Sequence, residues 1–173
     1  MNLSDLNNDN ICAISSPNGT GGVAIIRISG KKAIEITQKI FTKSIKNAKG
    51  YSVHYGSIFE NKNEIDEVIV TIFRNPSSFT GEDTAEINCH GSIFIQHKIL
   101  ELLIQNGARI AKAGEFSQRA FLNGKMDLSQ TEAIADLIHA RSSAAHKIAI
   151  NQMKGGFSNE LKQLREKLIE FAS

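Results

Sequence analysis

The stretch TAEINCHGSIFIQHKILELLIQNG, residues 84–107, sets the expected architecture of the first part of the chain. Residues 84–90 alternate between polar and apolar side chains, which is typical of a strand with one buried face. Residues 93–105 form a predicted apolar helix, and Gly107 is well placed to end it. A strand followed directly by a helix predicts a sheet with helices packed against it.

Similar signals surround this stretch. Four further strands are predicted, at 11–15, 23–29, 51–59 and 65–73. A short helix is predicted at 32–41, and after about Gly114 helix patterns continue while strand patterns stop. The sequence therefore predicts an α+β fold, in which a mixed β-sheet domain with flanking helices is followed by the start of an α-helical domain.

The helical part carries its own start signal and an apolar stripe. Ser129 and Glu132 fit a capping box. The stripe recurs at alternating spacings of four and three residues: Phe157, Leu161, Leu164, Leu168 and Phe171. Three interpretations of this stripe are open: the helix folds back on the preceding helix, it pairs with another chain, or its partner has been lost by truncation. Because the pattern stops without a C-cap, the sequence favours truncation.

Charge and cysteine content narrow the classes of function. Lys and Arg number 20 against 18 Asp and Glu, a net charge of +2 that is too balanced to indicate nucleic-acid binding by itself. Cys12 and Cys89 show no CxxC spacing, which argues against a disulfide framework or a zinc cluster and favours the reducing cytoplasm. We expect no secretory signal and no membrane span.

The adjacent Cys89 and His90 invite a catalytic interpretation, which strand geometry opposes. Neighbouring strand residues point to opposite faces, so Cys89 is expected in the core with Ala85 and Ile87. The other face carries Glu86 with Asn88 and His90, and is expected to be solvated or to line a pocket. The five histidines show no recognised metal-ligand spacing. We therefore assign no catalytic residue and no metal site.

Two features of the first part have competing interpretations. GTGGVA, residues 19–24, matches a dinucleotide-binding pattern, but a strand follows where the mechanism needs a helix. A glycine-rich hairpin, or a backbone that approaches a ligand, is favoured instead. Arg27 is a cation on an apolar strand, either an edge charge facing water or the partner of an acidic ligand. The residues leave these two alternatives open.

The segment 112–133 predicts a corner between two helices around an Asn-Gly turn at 123–124. Its charged residues include Glu115, Arg119, Lys125 and Asp127. The residues alone favour an interpretation as solvated charges at that corner.

Four motifs occur in order along the chain: ISSPNGTGGVAIIRISG, FTGEDTAEINCHG, ARIAKAGEFSQRAFLNGKMDLSQTEAIADLI and MKGGFS. Together they resemble the N-terminal part of the tRNA modification GTPase family called MnmE or TrmE. The resemblance covers essentially the whole chain, and several long motifs in register make it more specific than any single match.

The resemblance implies a tetrahydrofolate-binding, aminomethyltransferase-like domain at 1–118 that also forms the homodimer. It implies the first part of a helical domain at 119–173. Matched motif by motif, the folate-binding residues are Arg27, Glu86 and Lys125. The ligand is expected to be 5-formyl- or 5,10-methylene-tetrahydrofolate.

In this family the GTPase domain is inserted within the helical domain, so GTP, Mg²⁺ and K⁺ are expected to act only in that missing domain. With the flavoprotein MnmG (GidA), family members modify C5 of the wobble uridine of certain tRNAs, and the folate supplies a one-carbon unit. The fragment alone is expected to be non-catalytic. Two alternatives stay open: a self-contained folate-dependent one-carbon (aminomethyl) transferase, with Asp83 as its obvious acid, and a helical assembly module that uses the apolar stripe.

Overall fold

The computed structural model describes residues 9–172, apart from the side chains of residues 157–160, 162 and 172. The chain divides into two compact units, Met1–Arg119 and Ala120–Ser173. The expected domains at 1–118 and 119–173 stay a prediction, because compactness alone does not show that either part folds independently.

The first unit is built on a six-stranded sheet. Its strands are β1 (Asn10–Ile14), β2 (Gly21–Ser29), β3 (Ser52–Glu60), β4 (Asn63–Phe73), β5 (Thr84–Gly91) and β6 (Ala108–Ile110). Their order in space is β3-β4-β5-β2-β1-β6, and every neighbouring pair is antiparallel except β1 with β6. The predicted mixed sheet is confirmed, and with its helices it gives the predicted α+β class.

Helices α1 (Ala33–Ile40) and α2 (Ile93–Gln105) pack on one face of this sheet. The bounds of α2 are those predicted, and Gly107 after it has a φ of +107°, a conformation that glycine adopts readily. The shared core is formed by apolar side chains from both helices and from the inward positions of the strands. Its burial supplies most of the driving force for folding of this unit.

Strand β5 shows the predicted alternation between faces. Ala85, Ile87 and Cys89 are buried in the core, whereas Glu86 is half-buried and His90 is exposed on the outer side. The prediction that Cys89 is a core residue is confirmed. A Cys-His dyad is excluded by the same geometry, because the thiol and the imidazole belong to opposite faces.

The outer face of the sheet carries exposed apolar side chains. They belong to three strands: Val23 of β2, Val53 and Tyr55 of β3, and Ile69 of β4. Strand β3 is an edge strand, and residues 41–42 bond to its outer edge at Ser57 and Ile58. The exposed apolar face is therefore a candidate for binding a ligand or another chain.

Four helices follow the sheet: α3 (Glu115–Leu122), α4 (Leu128–His139), α5 (Ser143–Met153) and α6 (Gly156–Ala172). Helix α3 begins in the first unit and ends in the second, to which α4, α5 and α6 belong. In the second unit, α4 and α5 pack against each other with the small side chains Ala133 and Ala149 buried. The predicted helical part is confirmed.

Helix α6 carries the predicted apolar stripe. Its described members are 50–93% exposed: Leu161, Leu164, Leu168 and Phe171. The fifth member, Phe157, has its side chain outside the described residues.

Two local predictions need correction. Helix α4 begins with a capping box formed by Asp127 and Gln130, not by Ser129 and Glu132. An Asp cap serves as well as a Ser cap, and Gln serves at the third position as well as Glu, so both pairs satisfied the pattern. Strand β6 was not predicted, because three residues are too short to show an alternation.

Candidate ligand-binding site

Arg27 and Glu86 meet at the centre of the outer face of the sheet. They are directly opposite each other in the β2–β5 pairing. Nε of Arg27 donates to Oε1 of Glu86 at 2.8 Å, and Nη2 forms an ion pair with the same oxygen at 2.7 Å. The side chains are only 24% and 21% exposed, and Oε2 of Glu86 accepts no hydrogen bond from any described residue. The pair therefore keeps hydrogen-bonding capacity in a partly desolvated position.

Two aromatic rings contact the guanidinium of Arg27. Its Cζ atom lies 5.3 Å from the ring centre of Phe79 and 5.6 Å from that of Phe116. Phe79 belongs to the loop before β5, and Phe116 belongs to α3. Each cation–π contact stabilises the side chain, so Arg27 is held in one position before any ligand arrives.

This geometry decides one of the open alternatives for Arg27. An edge charge facing water is wrong, because β2 lies between β5 and β1 in the middle of the sheet. The cation instead faces a carboxylate of its own chain. The outward projection predicted for Glu86 is confirmed.

Of the three residues implied by the resemblance, the structure brings Arg27 and Glu86 into contact. Lys125 belongs to the second unit, in the turn between α3 and α4, where its backbone N–H donates to the carbonyl of Ala120 at 2.9 Å. Its side chain is exposed. Its membership of the same site stays a prediction.

A cavity of about 360 Å³ lies on the same face of the sheet, next to the second half of β5. Its lining includes Gly22, Val23, Tyr55, Ile69, Asn88 and His90. The cavity and the Arg27–Glu86 pair share no lining residue, but strand β5 runs along both.

A buried ionic network lies beside the candidate site and was not predicted. Arg119 of α3 is 2% exposed. Its Nη1 lies 3.2 Å from both carboxylate oxygens of Glu82 and donates to the carbonyl of Asp9 at 2.9 Å. Its Nη2 donates to the Asp9 carboxylate at 2.5 Å and lies 3.7 Å from Glu115.

The remaining acceptors of this network are also occupied. The hydroxyl of Ser29 donates to Glu82 at 2.8 Å. Arg109 donates to both oxygens of Glu115, and the backbone N–H of Lys112 adds a further bond at 2.7 Å. Burial of several charges requires such pairing, although the buried Nε of Arg119 has no hydrogen-bond partner among the described residues. The network joins the loop before β5, the start of β1, the end of β6 and helix α3.

The network shifts the titration of its carboxyl groups. Hydrogen bonds from Arg109 outweigh burial and, with the Lys112 amide, lower the pKa of Glu115 to about 2. Burial of Asp9 opposes its ionisation, yet hydrogen bonds from Arg109 and Arg119 outweigh that burial and hold its pKa below the ordinary value. Both groups are therefore held in their ionised form at neutral pH.

The interpretation of Glu115 and Arg119 as solvated charges is wrong, since both are buried. Their spacing of four residues on one helix face was the available signal. What the sequence could not supply is the position of Glu82 and Asp9, which lie 37 and 110 residues away from Arg119. Burial of a charge depends on such distant partners.

Both cysteine thiols lie in the buried core of the first unit. Burial raises the pKa of both Cys12 and Cys89 to about 11, so neither is a reactive thiolate at neutral pH. Among the described residues, no cluster of three or more His, Cys, Asp or Glu side chains has the geometry to hold a metal ion. No helix in the described part of the chain is long and apolar enough to cross a membrane.

Two family models match this chain. The model described as "GTP-binding protein TrmE N-terminus" matches residues 10–125, and "MnmE helical domain" matches residues 128–173. Relatives named "tRNA modification GTPase MnmE" include those of Flavobacterium johnsoniae, 53% identical over 173 residues, and Parabacteroides distasonis, 55% identical over 169 residues. These alignments cover 97% and 94% of this chain. The chain spans 37% of the length of each of these relatives.

Proposed function

The chain belongs to the MnmE family of tRNA modification GTPases, with the N-terminal domain and a helical part of that family, and from this we propose that it binds a tetrahydrofolate derivative. The observation that carries the proposal is the Arg27–Glu86 pair on the outer face of the sheet. The pair is half-buried, is fixed by two aromatic rings, and keeps one carboxylate oxygen available.

The chemistry of the pair suits a pterin ring. A pterin presents an exocyclic amine beside a ring N–H, and a carboxylate accepts such a pair of donors. In our proposal Glu86 accepts these donors, while Arg27 donates to the ring carbonyl or to a carboxylate of the ligand. Because Glu86 Oε1 already accepts from Nε of Arg27 and pairs with Nη2, binding requires the two side chains to separate in part or to share the ligand. Lys125 is proposed as a further cation for the folate.

The bound folate would supply a one-carbon unit. The residues of this chain would hold and orient it, with the rings of Phe79 and Phe116 fixing Arg27. We assign no catalytic residue to the chain. The chemistry of the whole protein is proposed to be addition of a (carboxymethyl)aminomethyl group at C5 of the wobble uridine of certain tRNAs, with MnmG as partner, in the cytoplasm. GTP, Mg²⁺ and K⁺ would act in a GTPase domain that these 173 residues do not include.

We also propose that the first unit forms a homodimer. In support, β3 is an edge strand, and Tyr51 and Val53 at that edge are 70% and 64% exposed. Exposed apolar groups beside an edge strand favour association. The alternative of a stand-alone one-carbon transferase has less support, because the carboxylate of Asp83 already accepts from Arg74 and from the amide of Asn75.

Isothermal titration with 5-formyltetrahydrofolate tests the folate proposal. We expect the chain to bind this ligand, and Glu86→Ala to reduce the affinity at least tenfold, since a charge-assisted hydrogen bond contributes about 1.5–3 kcal/mol. Circular dichroism should show an unchanged fold. Glu35→Ala, an exposed carboxylate on α1, is the matched control and should bind normally. Absence of binding by the folded wild-type chain would reject the proposal.

Light scattering separates dimerisation through the first unit from assembly through α6. We expect Leu164→Asp, a change at the centre of the α6 stripe, to leave the dimer intact, since the proposed contact lies on β3. A monomeric Leu164→Asp variant would favour the helical assembly module instead. Gln163→Asp, the neighbouring exposed position, is the control for charge alone.

A further inference from the structure

We propose that a surface of exposed lysines between α1 and β3 binds the phosphate backbone of tRNA. This lysine cluster consists of Lys39, Lys43, Lys46 and Lys49. The inference rests on the proposed function in tRNA modification, and it adds a place on the first unit where the RNA makes contact. None of the four lysines belongs to the proposed folate site.

The charge of the chain is balanced overall but is unevenly distributed along it. Residues 36–59 contain the four lysines of the cluster and no Asp or Glu, and the flanking acids are Glu35 and Glu60. Such a segment is ordinarily a solvated part of the surface. Charges of one sign that are gathered on one part of the surface also attract a polyanion, and RNA is the polyanion that a tRNA-modifying protein meets.

The charge of the cluster is not neutralised by neighbouring acids. All four lysine side chains are exposed, and none of them forms an ion pair with another described residue. Glu60, which lines a cavity together with Lys39, pairs instead with Lys98 at 2.7 Å. Asp83 pairs with Arg74 at 2.9 Å. The positive charge of the cluster is therefore available to a ligand.

The loop that carries three of the lysines is anchored to the rest of the first unit. The side-chain amide of Gln38 accepts from the backbone N–H of Ile45 at 2.5 Å and donates to the carbonyl of Lys43 at 2.9 Å. Arg74 donates to the carbonyl of Lys46 at 2.5 Å, and the side chain of Ile45 is fully buried. Because the backbone is already ordered, binding of a ligand has to order only the lysine side chains.

The type and spacing of these residues suit phosphate contacts. The lysines recur at intervals of four, three and three residues along one exposed segment. A lysine ammonium is a point charge on a flexible stem, so it binds a phosphate without the fixed geometry that reading a base edge requires. The cluster therefore positions the RNA and does not select its sequence.

Fluorescence anisotropy with a labelled anticodon stem-loop RNA tests the inference. We expect the wild-type chain to bind with a Kd of about 10⁻⁶–10⁻⁴ M at physiological salt, the range of sequence-independent contacts. Replacing all four lysines of the cluster by glutamine should raise Kd at least about tenfold at about 50 mM salt. The same change should reduce the slope of log K against log salt by about one for each lysine, since fewer counterions are released.

A second variant controls for net charge. It replaces four exposed lysines outside the cluster by glutamine: Lys62, Lys147, Lys154 and Lys167. Both variants have the same net charge, so a difference in RNA binding between them is due to the position of the lysines. Circular dichroism and light scattering should show the fold and the oligomeric state of the wild type in both variants, because all the replaced side chains are exposed.

The outcomes separate the inference from its alternatives. A loss of RNA binding confined to the cluster variant supports it. Equal losses in the two variants, no loss in either, or no RNA binding by the folded wild-type chain overturns it. If polyglutamate displaces the labelled RNA as well as unlabelled RNA of equal charge does, the cluster fits an acidic protein and the assignment to RNA is wrong.

Titration of the same samples with 5-formyltetrahydrofolate reports the proposed folate function separately, because neither variant changes Arg27 or Glu86. A wild-type chain that binds the folate but not the RNA would reject this inference alone. A chain that binds the RNA through the cluster but not the folate would reject the folate proposal alone.

Discussion

Two arginine–glutamate pairs in the first unit have the same chemistry and opposite surroundings. Arg119 and Glu82 are buried, at 2% and 8% exposure, and bond to further charged and polar groups through the two Nη atoms of Arg119 and the Glu82 carboxylate. Arg27 and Glu86 are partly exposed, have mainly each other, and retain an unused carboxylate oxygen. The first pair joins distant parts of the chain, whereas the second has capacity left for a ligand.

The difference shows that the presence of an ion pair does not by itself distinguish a structural role from a ligand-binding role. Burial of both charges makes removal of one partner costly, because the other charge remains without compensation. Partial exposure makes the contribution to stability small, since water and ions screen the attraction. A buried pair with several further partners therefore indicates a structural role, and a partly exposed pair held in place by neighbours indicates binding.

We expect the largest loss of stability when the buried Arg119–Glu82 pair is broken. Arg119→Met should lower the free energy of unfolding by about 3–5 kcal/mol, because Glu82 would stay buried without its cation. Urea unfolding followed by circular dichroism measures this change. The matched variant Arg27→Met should lower stability by less than about 1 kcal/mol, the value typical of exposed pairs. Equal losses of unfolding free energy in the two variants would show that the two pairs do not differ in their contribution to stability.

A second test measures how the stability of the chain depends on pH in the acid range. Glu115 has a pKa of about 2 in the folded chain, against about 4.3 in an unfolded one, so its stabilisation is complete above about pH 4.5 and is lost as the pH falls towards 2. Asp9, whose pKa is also lowered, acts in the same sense. The loss for Glu115 is on the order of 3 kcal/mol.

Urea titrations at pH 5 and pH 2.5 should therefore show a larger drop in stability for the wild-type chain than for Glu115→Gln, which cannot lose this charge. Glu35→Gln, which replaces an exposed carboxylate on α1, is the control and should behave like the wild type. If stability decreases equally for the wild type and Glu115→Gln between pH 5 and pH 2.5, the network does not determine the loss of stability in acid.

Much of the sheet could be predicted from the sequence because it rests on local patterns. The alternation in β5 gave the correct faces for Cys89 and Glu86, and the apolar run gave the bounds of α2. The position of Arg27 in the middle of the sheet could not be read from its strand, since strand order is a property of the whole chain. For the same reason the burial of Arg119 could not be predicted, since its partners Glu82 and Asp9 are distant in sequence.

The site was predictable only in part. Glu86 was indicated by its face of the strand, while the assignment of Arg27 and Lys125 came from the family resemblance. The Asp66–His90 contact was not indicated, because it joins two residues 24 positions apart. Strand pairing places side chains opposite one another, but the pattern of one strand does not identify its partner.

The two cysteines offer a practical opportunity. Both are buried, at 0% and 3% exposure, with thiols that resist ionisation at neutral pH. Maleimide reagents react with thiolates, so the folded chain should stay unlabelled without any need to replace a native residue. A single cysteine introduced on an exposed position would then carry a spin label or a fluorophore alone. Distances between such labels could map subunit contacts and ligand-induced movements directly in solution.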